Sequence, residues 1–290
     1  MTILVTGANG TTGNATLQAL VARGAQVRAL VRDASKLTPS DAVEVAVGDF
    51  DDESSLLAAL DGVERAFLVG ASSPRQVEQE AAFIAAASKV GLEQVVALSV
   101  IGADAPGVEA LRFGKSHVDV EAALAASGLP TTLLRPNSFL QNLLAQAPSI
   151  AGDRTFYTPL SPAARVSAVD AVDIGEVAAV ALTEPGHAGQ AYTLTGPEAL
   201  SDDDVAARLT AALGVAVRHV QVPIEAARES FLTNGYPEWN ADGLLELFAF
   251  YETGGAAGVS NDIERVLGRP ARSIDDFARA RAHAAAFGVT

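Results

Sequence analysis

The chemistry written into this 290-residue chain starts at Gly7. The run Gly7-Ala8-Asn9-Gly10-Thr11-Thr12-Gly13 spaces its glycines as G-x-x-G-x-x-G, close to the G-x-G-x-x-G turn that cradles a pyrophosphate. Glycine at position 7 permits a tight exit from a strand. Gly10 lets the backbone approach the phosphates, and Gly13 lets the following helix pack against the strand. The free N–H groups of that helix then point at the anion. Thr11 and Thr12 can donate hydroxyl hydrogen bonds, and Asn9 can brace the turn. A glycine turn can also merely link strand to helix. Its place between the first strand and the first helix favours dinucleotide binding.

Which dinucleotide depends on the end of the second strand. A carboxylate there accepts hydrogen bonds from the ribose 2′-OH of NAD and repels a 2′-phosphate. This chain has Arg32 in that place, with Lys36 one turn on. A guanidinium offers bidentate bonds to phosphate and stacks on adenine. NADP(H) is therefore the expected cofactor. NAD(H) is left open by Asp33, which can equally serve as an N-cap before Ala34-Ser35-Lys36-Leu37. Asp49 and Phe50 follow the third strand, where the adenine edge would lie. Asp49 can accept from the adenine amino group and Phe50 can pack on the ring, with helix capping as the alternative for Asp49. Val69 and Gly70, at the end of the fourth strand, complete this part of the expected site.

These residues need a scaffold, and the sequence supplies one by alternation. Ile3 to Thr6 reads as a buried strand and Thr12 to Arg23 as a helix ended by Gly24. Strands follow at 26–31, 43–47, 66–69, 94–99 and 131–135, with helices at 53–60, 74–90 and 112–127 between them. The strands are unbroken apolar runs, the pattern of a parallel sheet covered on both faces. The expected fold class is α/β: a doubly wound parallel Rossmann sheet with a smaller C-terminal α+β substrate domain. Residues 1–150 would form the NADP(H)-binding body. Residues 151–290 would form the smaller domain, with some segments returning to the sheet. There, 151–167 reads as loop with short strands, 174–182 as a helix and 191–196 as a short strand. Ser201 with three aspartates is a strong N-cap for a helix to Leu213. A strand at 215–222 and helices at 224–233 and 242–251 follow.

Bulk properties narrow the partners. A net charge of -15 argues against a nucleic-acid backbone or an anionic membrane. With no cysteine, disulfides, thiolate catalysis and Cys-based zinc sites are excluded. His117, His187, His219 and His283 never fall at i, i+4 spacing, so no metal site is expected. The first apolar run is too short for a signal peptide, and no apolar run approaches the ~20 residues of a membrane span. The expected partner is a small molecule, the expected location cytoplasmic, and the expected state a monomer or homodimer.

Assembled, these stretches resemble the NmrA-like branch of the atypical short-chain dehydrogenases/reductases, most of all its NAD(P)H-dependent quinone reductase and triphenylmethane reductase members. The carrying segments are LVTGANGTTG, LVRD, GDFDDESSL, GKSHVDVEAALAASGL, TTLLRPNSFLQNLL, VDAVDIGEVAAVAL and YTLTGPEALSDDDVAARL, which span nearly the whole chain. The resemblance implies a nucleotide-binding domain, a small C-terminal domain and a substrate cleft between them.

It also exposes a departure. Ordinary short-chain dehydrogenases use Ser, Tyr and Lys, with Tyr-x-x-x-Lys supplying the proton. None of Tyr157, Tyr192, Tyr236 and Tyr251 has a lysine four residues later. Ser99 sits where that serine would be. Lys115 is on the right helix to reach the nicotinamide ribose, or is simply solvated. His117 and Glu121 match the family's H-x-x-x-E and can either meet a substrate or form a structural hydrogen-bonded pair. Lys115 and His117 are the weak catalytic candidates. Pro136, Asn137 and Phe139, just past the sixth strand, are expected beside the nicotinamide, with capping as the alternative for Asn137. Without a built-in acid, the favoured reaction is hydride transfer to a quinone-like, aromatic or otherwise conjugated acceptor, whose product needs no immediate proton from the protein. Phe156, Tyr157, Phe231, Tyr236, Trp239 and Phe248 could line such a pocket, though most read as core. The alternative is a non-catalytic NAD(P)(H)-sensing regulator that binds a protein partner. A sugar-nucleotide epimerase shares the glycine pattern but lacks support from Tyr-x-x-x-Lys.

Overall fold

The computed structural model describes residues 1–37 and 40–289. The strands are β1 (Thr2–Val5), β2 (Gln26–Val31), β3 (Val43–Val47), β4 (Arg65–Leu68), β5 (Gln94–Leu98), β6 (Thr131–Pro136), β7 (Thr155–Thr158), β8 (Ala191–Leu194) and β9 (Arg218–Gln221). The helices are α1 (Thr11–Ala22), α2 (Glu53–Leu60), α3 (Gln76–Val90), α4 (Arg112–Ser127), α5 (Ala147–Asp153), α6 (Ala171–Thr183), α7 (Asp202–Leu213), α8 (Ile224–Thr233), α9 (Glu238–Glu252), α10 (Asp262–Leu267), α11 (Ile274–Arg279) and α12 (Arg281–Ala286). Among the described residues no helix is long and apolar enough to cross a membrane.

The chain divides into two compact units. The first holds residues 1–136, 171–193 and 266–268. Its seven-stranded sheet runs β3-β2-β1-β4-β5-β6-β8. β1 pairs in parallel with β2 on one side and β4 on the other, so strand order reverses beside β1. That reversal opens the crevice where doubly wound sheets hold ligands. The doubly wound α/β class expected from the unbroken apolar runs is the class observed. β5 is buried at every position, as the doubly covered sheet requires.

β8 lies at the edge of this sheet. Gly189 N–H donates to Thr131 O (2.7 Å) and Leu133 N–H to Gln190 O (2.9 Å), so residue numbers rise together and β8 runs parallel to β6. α6 leads into it. Ten of its thirteen residues are buried, the mark of a helix enclosed on nearly all sides. It packs on α1 through Gly175, where an added Cβ would stand 2.6 Å from the Ala15 carbonyl oxygen. The first unit thus takes back a segment from the second half, while the chain leaves it at Pro136 rather than at the expected boundary of 150.

The second unit holds residues 137–170, 194–265 and 269–290. β7 and β9 form a two-stranded parallel pair. Its core gathers Ile150, Phe156, Leu209, Phe277 and Phe287. Phe156 is therefore core, while Tyr157 points the other way and is exposed. α7 starts with the expected cap: Ser201 accepts from Asp204 N–H, and the Asp204 carboxylate accepts from Ser201 N–H. Phe231 packs with Tyr236 (5.4 Å) and stacks on Phe248 (6.3 Å).

Gly175→Ala is expected to destabilise the protein by about 1–3 kcal/mol, because the Ala15 backbone cannot yield as a side chain would. Gly152→Ala in α5, where a Cβ meets nothing within 4 Å, is expected to be neutral or slightly stabilising. Chemical denaturation of both variants checks the contrast, and equal behaviour would refute it.

Candidate cofactor site

The site begins at the exits of β1 and β4. Thr6 Oγ1 reaches the carbonyls of Phe67 (3.2 Å) and Val69 (3.0 Å) and accepts from Val69 N–H (2.8 Å). Gly7 follows with φ +56°, and a Cβ there would stand 2.9 Å from Val69 Cγ1. Gly10 N–H closes the turn onto Gly7 O (2.8 Å). At Gly13 a Cβ would meet the backbone of Thr6 and Gly7, so the helix can approach the strand only without one. Asn9, Gly10 and Thr11 are exposed, whereas Thr12 is buried.

α1 starts bare. Its N-cap is Gly10, with no side-chain cap and no acid in the first turn. By contrast, α2, α7 and α11 are capped by Asp52, Ser201 and Ser273. Asn14 N–H is the first to bond within the turn, to Gly10 O. The N–H groups of Thr11, Thr12 and Gly13 therefore need acceptors from outside, as a phosphate would supply. The cradle fits a dinucleotide.

Just past β2, the side chains of Arg32 and Lys36 are exposed and make no hydrogen bond or close ion pair among the described residues, Lys36 acting on Asp33 only through its charge. By contrast, Arg23, Arg28, Arg75, Lys89 and Lys115 are all paired. Asp33 is occupied locally. It caps a 3-10 turn, accepting from Ser35 N–H (3.0 Å) and Ser35 Oγ (2.7 Å), and these bonds hold its carboxyl below the usual range. Asp49 Oδ1 accepts from Asp51 N–H (3.0 Å) in a local turn, and the cap of α2 is Asp52 rather than Asp49. Phe50 is half-buried and packs on Phe83, with ring centroids 5.7 Å apart. Gly70 N–H donates to Glu80 Oε1 (3.0 Å), a buried acid absent from the sequence reading.

The ends of β5 and β6 carry a charged cluster. Glu121 accepts from Ser99 Oγ (2.5 Å) and from Arg135 Nε (2.9 Å) and Nη2 (2.7 Å). Arg135 also pairs with Asp104 at 2.5 Å. The hydrogen bonds it donates to Glu121, opposed by burial, hold the guanidinium still more firmly charged. The expected His117–Glu121 hydrogen bond is not made, because Ser99 and Arg135 take both oxygens. His117 instead bonds the Leu98 backbone; its Nδ1 is buried without a partner, and burial pushes the imidazole down to about 4. It is neutral at pH 7. Lys115 is exposed and pairs with Asp119 Oδ2 (2.8 Å) one turn along α4. Pro136 is buried at the end of β6. In the second unit, Asn137 donates to Ser167 Oγ and Ala256 O (both 2.8 Å), so it ties the segment after β6 to two distant segments of that unit. Phe139 is half-buried there, bridged through its backbone to Val169.

Sequence reasoning passed over Thr6, Glu80 and Arg135. Two of these had a signal. Arg135 is a charge inside an apolar strand, and Glu80 falls on the buried stripe Gln76, Glu80, Phe83, Ile84, Ala87 of α3. Either demands a partner.

Comparison with known proteins adds the following. A family model described as "NmrA-like family" matches residues 1–277. An NAD(P)H azoreductase of Xenophilus azovorans is 41% identical, covering 99% of this chain and 99% of its own. A (4-alkanoyl-5-oxo-2,5-dihydrofuran-3-yl)methyl phosphate reductase of Streptomyces griseus subsp. griseus is 35% identical, covering 97% and 98%. The crystal structure of an NADPH-dependent quinone oxidoreductase of Escherichia coli, complexed with NADPH, superposes with a TM-score of 0.84 at 27% identity, covering 96% of this chain and 98% of that one.

Arg135→Met would strand Glu121, which is only 14% exposed, without its cation. The expected loss is about 3–5 kcal/mol, with part recovered by adding Glu121→Gln. A double-mutant cycle by denaturation checks this; strictly additive losses would show that the two groups are not coupled.

Proposed function

The chain belongs to the NmrA-like family, and from that premise we propose that it is an NADPH-dependent reductase acting on quinone-like, azo or otherwise conjugated small molecules. It is an NAD(P)H-dependent oxidoreductase in class, like the azoreductase and the quinone oxidoreductase that match it over nearly their whole length. The observation that carries the choice of NADPH is the unpaired Arg32 side chain just past β2, the strand next to β1, whose exit leads into the uncapped start of α1. A 2′-phosphate at Arg32 gains a charge-assisted bond, and Asp33, turned into its own cap, does not compete for the ribose.

Bound in this cradle, the reduced nicotinamide would supply a hydride. The surrounding residues support transfer without supplying a proton. Ser99 has committed its hydroxyl proton to Glu121, so it cannot donate to a substrate carbonyl in the manner of ordinary short-chain dehydrogenases. Lys115 is held by Asp119, and neutral His117 directs its bond to the Leu98 backbone. An acceptor that stabilises the incoming charge over a conjugated system needs only nearness and orientation from the protein. Azo compounds and quinones meet that requirement, and relatives named for both flank this chain in sequence and fold. Pro136, at the end of β6, is the residue we assign to contact with the nicotinamide.

NADPH oxidation measured against quinones, azo dyes and enones is expected to show turnover, faster with NADPH than with NADH; none above buffer would sink the proposal. Arg32→Ala is expected to weaken NADPH binding by about 1.5–3 kcal/mol and NADH binding far less. Calorimetry with both cofactors decides, and equal losses would overturn the assignment.

A further inference from the structure

α3 carries one acid on its buried stripe. Glu80 is 1% exposed, and its Oε1 accepts from Gly70 N–H (3.0 Å) and from Gln76 Nε2 (3.1 Å). Two atoms beside this arrangement are left over. Glu80 Oε2 and Gln76 Oε1 are both buried and both lack a hydrogen-bond partner. Each is an acceptor, so neither can satisfy the other while Glu80 is ionised. One proton removes both deficits. Placed on Oε2, it makes a carboxylic acid whose O–H can donate to Gln76 Oε1, while Gln76 Nε2 goes on donating to Oε1. Acid and amide then share two hydrogen bonds, with Gly70 N–H as a third.

We propose that Glu80 is a neutral carboxylic acid paired with Gln76 in the working protein, and that it is a positioning residue for the Val69–Gly70 turn beside the cofactor cradle. The placement of the turn makes this more than a packing detail. Val69 N–H bonds Thr6, Val69 Cγ1 lies against Gly7, and Gly70 leaves no room for a side chain, since a Cβ would stand 2.6 Å from Glu80 Oε1. Burial pushes the Glu80 carboxyl up to about 7, with the bonds from Gln76 and Gly70 working against the shift.

No neighbouring charge contributes to that shift. On the α2 side, Asp51 is held by Arg75, Asp52 by the cap of α2, and Glu53 by Lys89. On α3 itself Glu78 also pairs with Arg75. On α4, Asp119 is held by Lys115 and Glu121 by Arg135, and His117 is neutral at pH 7.

The sign follows from the direction of the shift. Between about 4.5 and 7 the folded chain keeps a proton that the unfolded chain releases, so stability from this group is lost as pH rises through that window. Above it, an ionised buried Glu80 is driven toward water and releases Gly70.

Glu80→Gln tests this, because a glutamine reproduces the protonated acid: its oxygen accepts from Gly70 and Gln76, and its NH2 donates to Gln76 Oε1. Three readouts are expected on the full chain. Thermal stability of the wild type falls relative to E80Q between about pH 5 and pH 8. An infrared band of a protonated carboxyl is present in the wild type near pH 6 and is lost in E80Q. NADPH affinity of the wild type falls several-fold relative to E80Q from neutral to alkaline pH. Parallel stability profiles, or no such band in the wild type, would overturn the neutral acid; the wild-type band needs no variant to fold. The third readout alone rests on the cofactor assignment above. NADPH binding with the same pH profile in both proteins would overturn the positioning role. Failure of NADPH to bind either would remove that role together with the cofactor reading, with the first two readouts still deciding the proton.

Discussion

Thr6 ties the exits of β1 and β4 together with three contacts to Phe67 and Val69, at the point where strand order reverses. The cradle depends on this junction. Because the two exits are held this close, Gly7 must turn with positive φ against Val69, and α1 must begin within van der Waals distance of the Thr6 backbone, which leaves no room for a side chain at Gly13. The same closeness leaves the first turn of α1 to start at Gly10, without a side-chain cap. α6 then presses on the other side of α1 at Gly175, so the helix is clamped between the strand that precedes it and a segment from the second half of the chain.

A second constraint acts at β5 and β6, where a guanidinium is only 12% exposed. Burying Arg135 requires carboxylates, and Glu121 is the one that meets it on two nitrogens. Once Glu121 is fixed as an acceptor, Ser99 must turn its proton toward it, and His117 is left with the Leu98 backbone. The partners of Ser99 and His117 at this end of the sheet thus follow from one buried cation.

What was legible in the sequence follows from how local each signal is. The strands at 26–31 and 43–47 and the helices at 53–60 and 112–127 fall where the apolar runs and their polar boundaries put them. The Ser201 cap and the glycine turn are equally local, since each is specified by residues within one turn. β8 was visible as a strand, but four residues carry no information about which strand they join. The enclosed α6 was the clue, because a helix apolar on nearly all sides must be covered by something large. The His117–Glu121 spacing was misleading for a related reason. One-turn neighbours on a helix can bond, yet Arg135, fourteen residues on, offers Glu121 more.

Charge illustrates the same difference between the local and the summed. The chain carries -15 overall, which by itself would repel a cofactor bearing several phosphates. Exposed acids are screened beyond roughly 8 Å at physiological ionic strength, so most of that charge is not felt in the crevice. Many acids elsewhere are also neutralised in pairs, as Asp51 is by Arg75 and Glu53 by Lys89. At the crevice end of the sheet, the start of α1 is uncapped and the exposed Arg32 side chain, just past β2, has no ion pair among the described residues. Asp33 is the one acid close enough in sequence to spoil this, and Ser35 holds it in a cap. An acidic protein can therefore present an anion site, provided the acids nearest to it are given other partners.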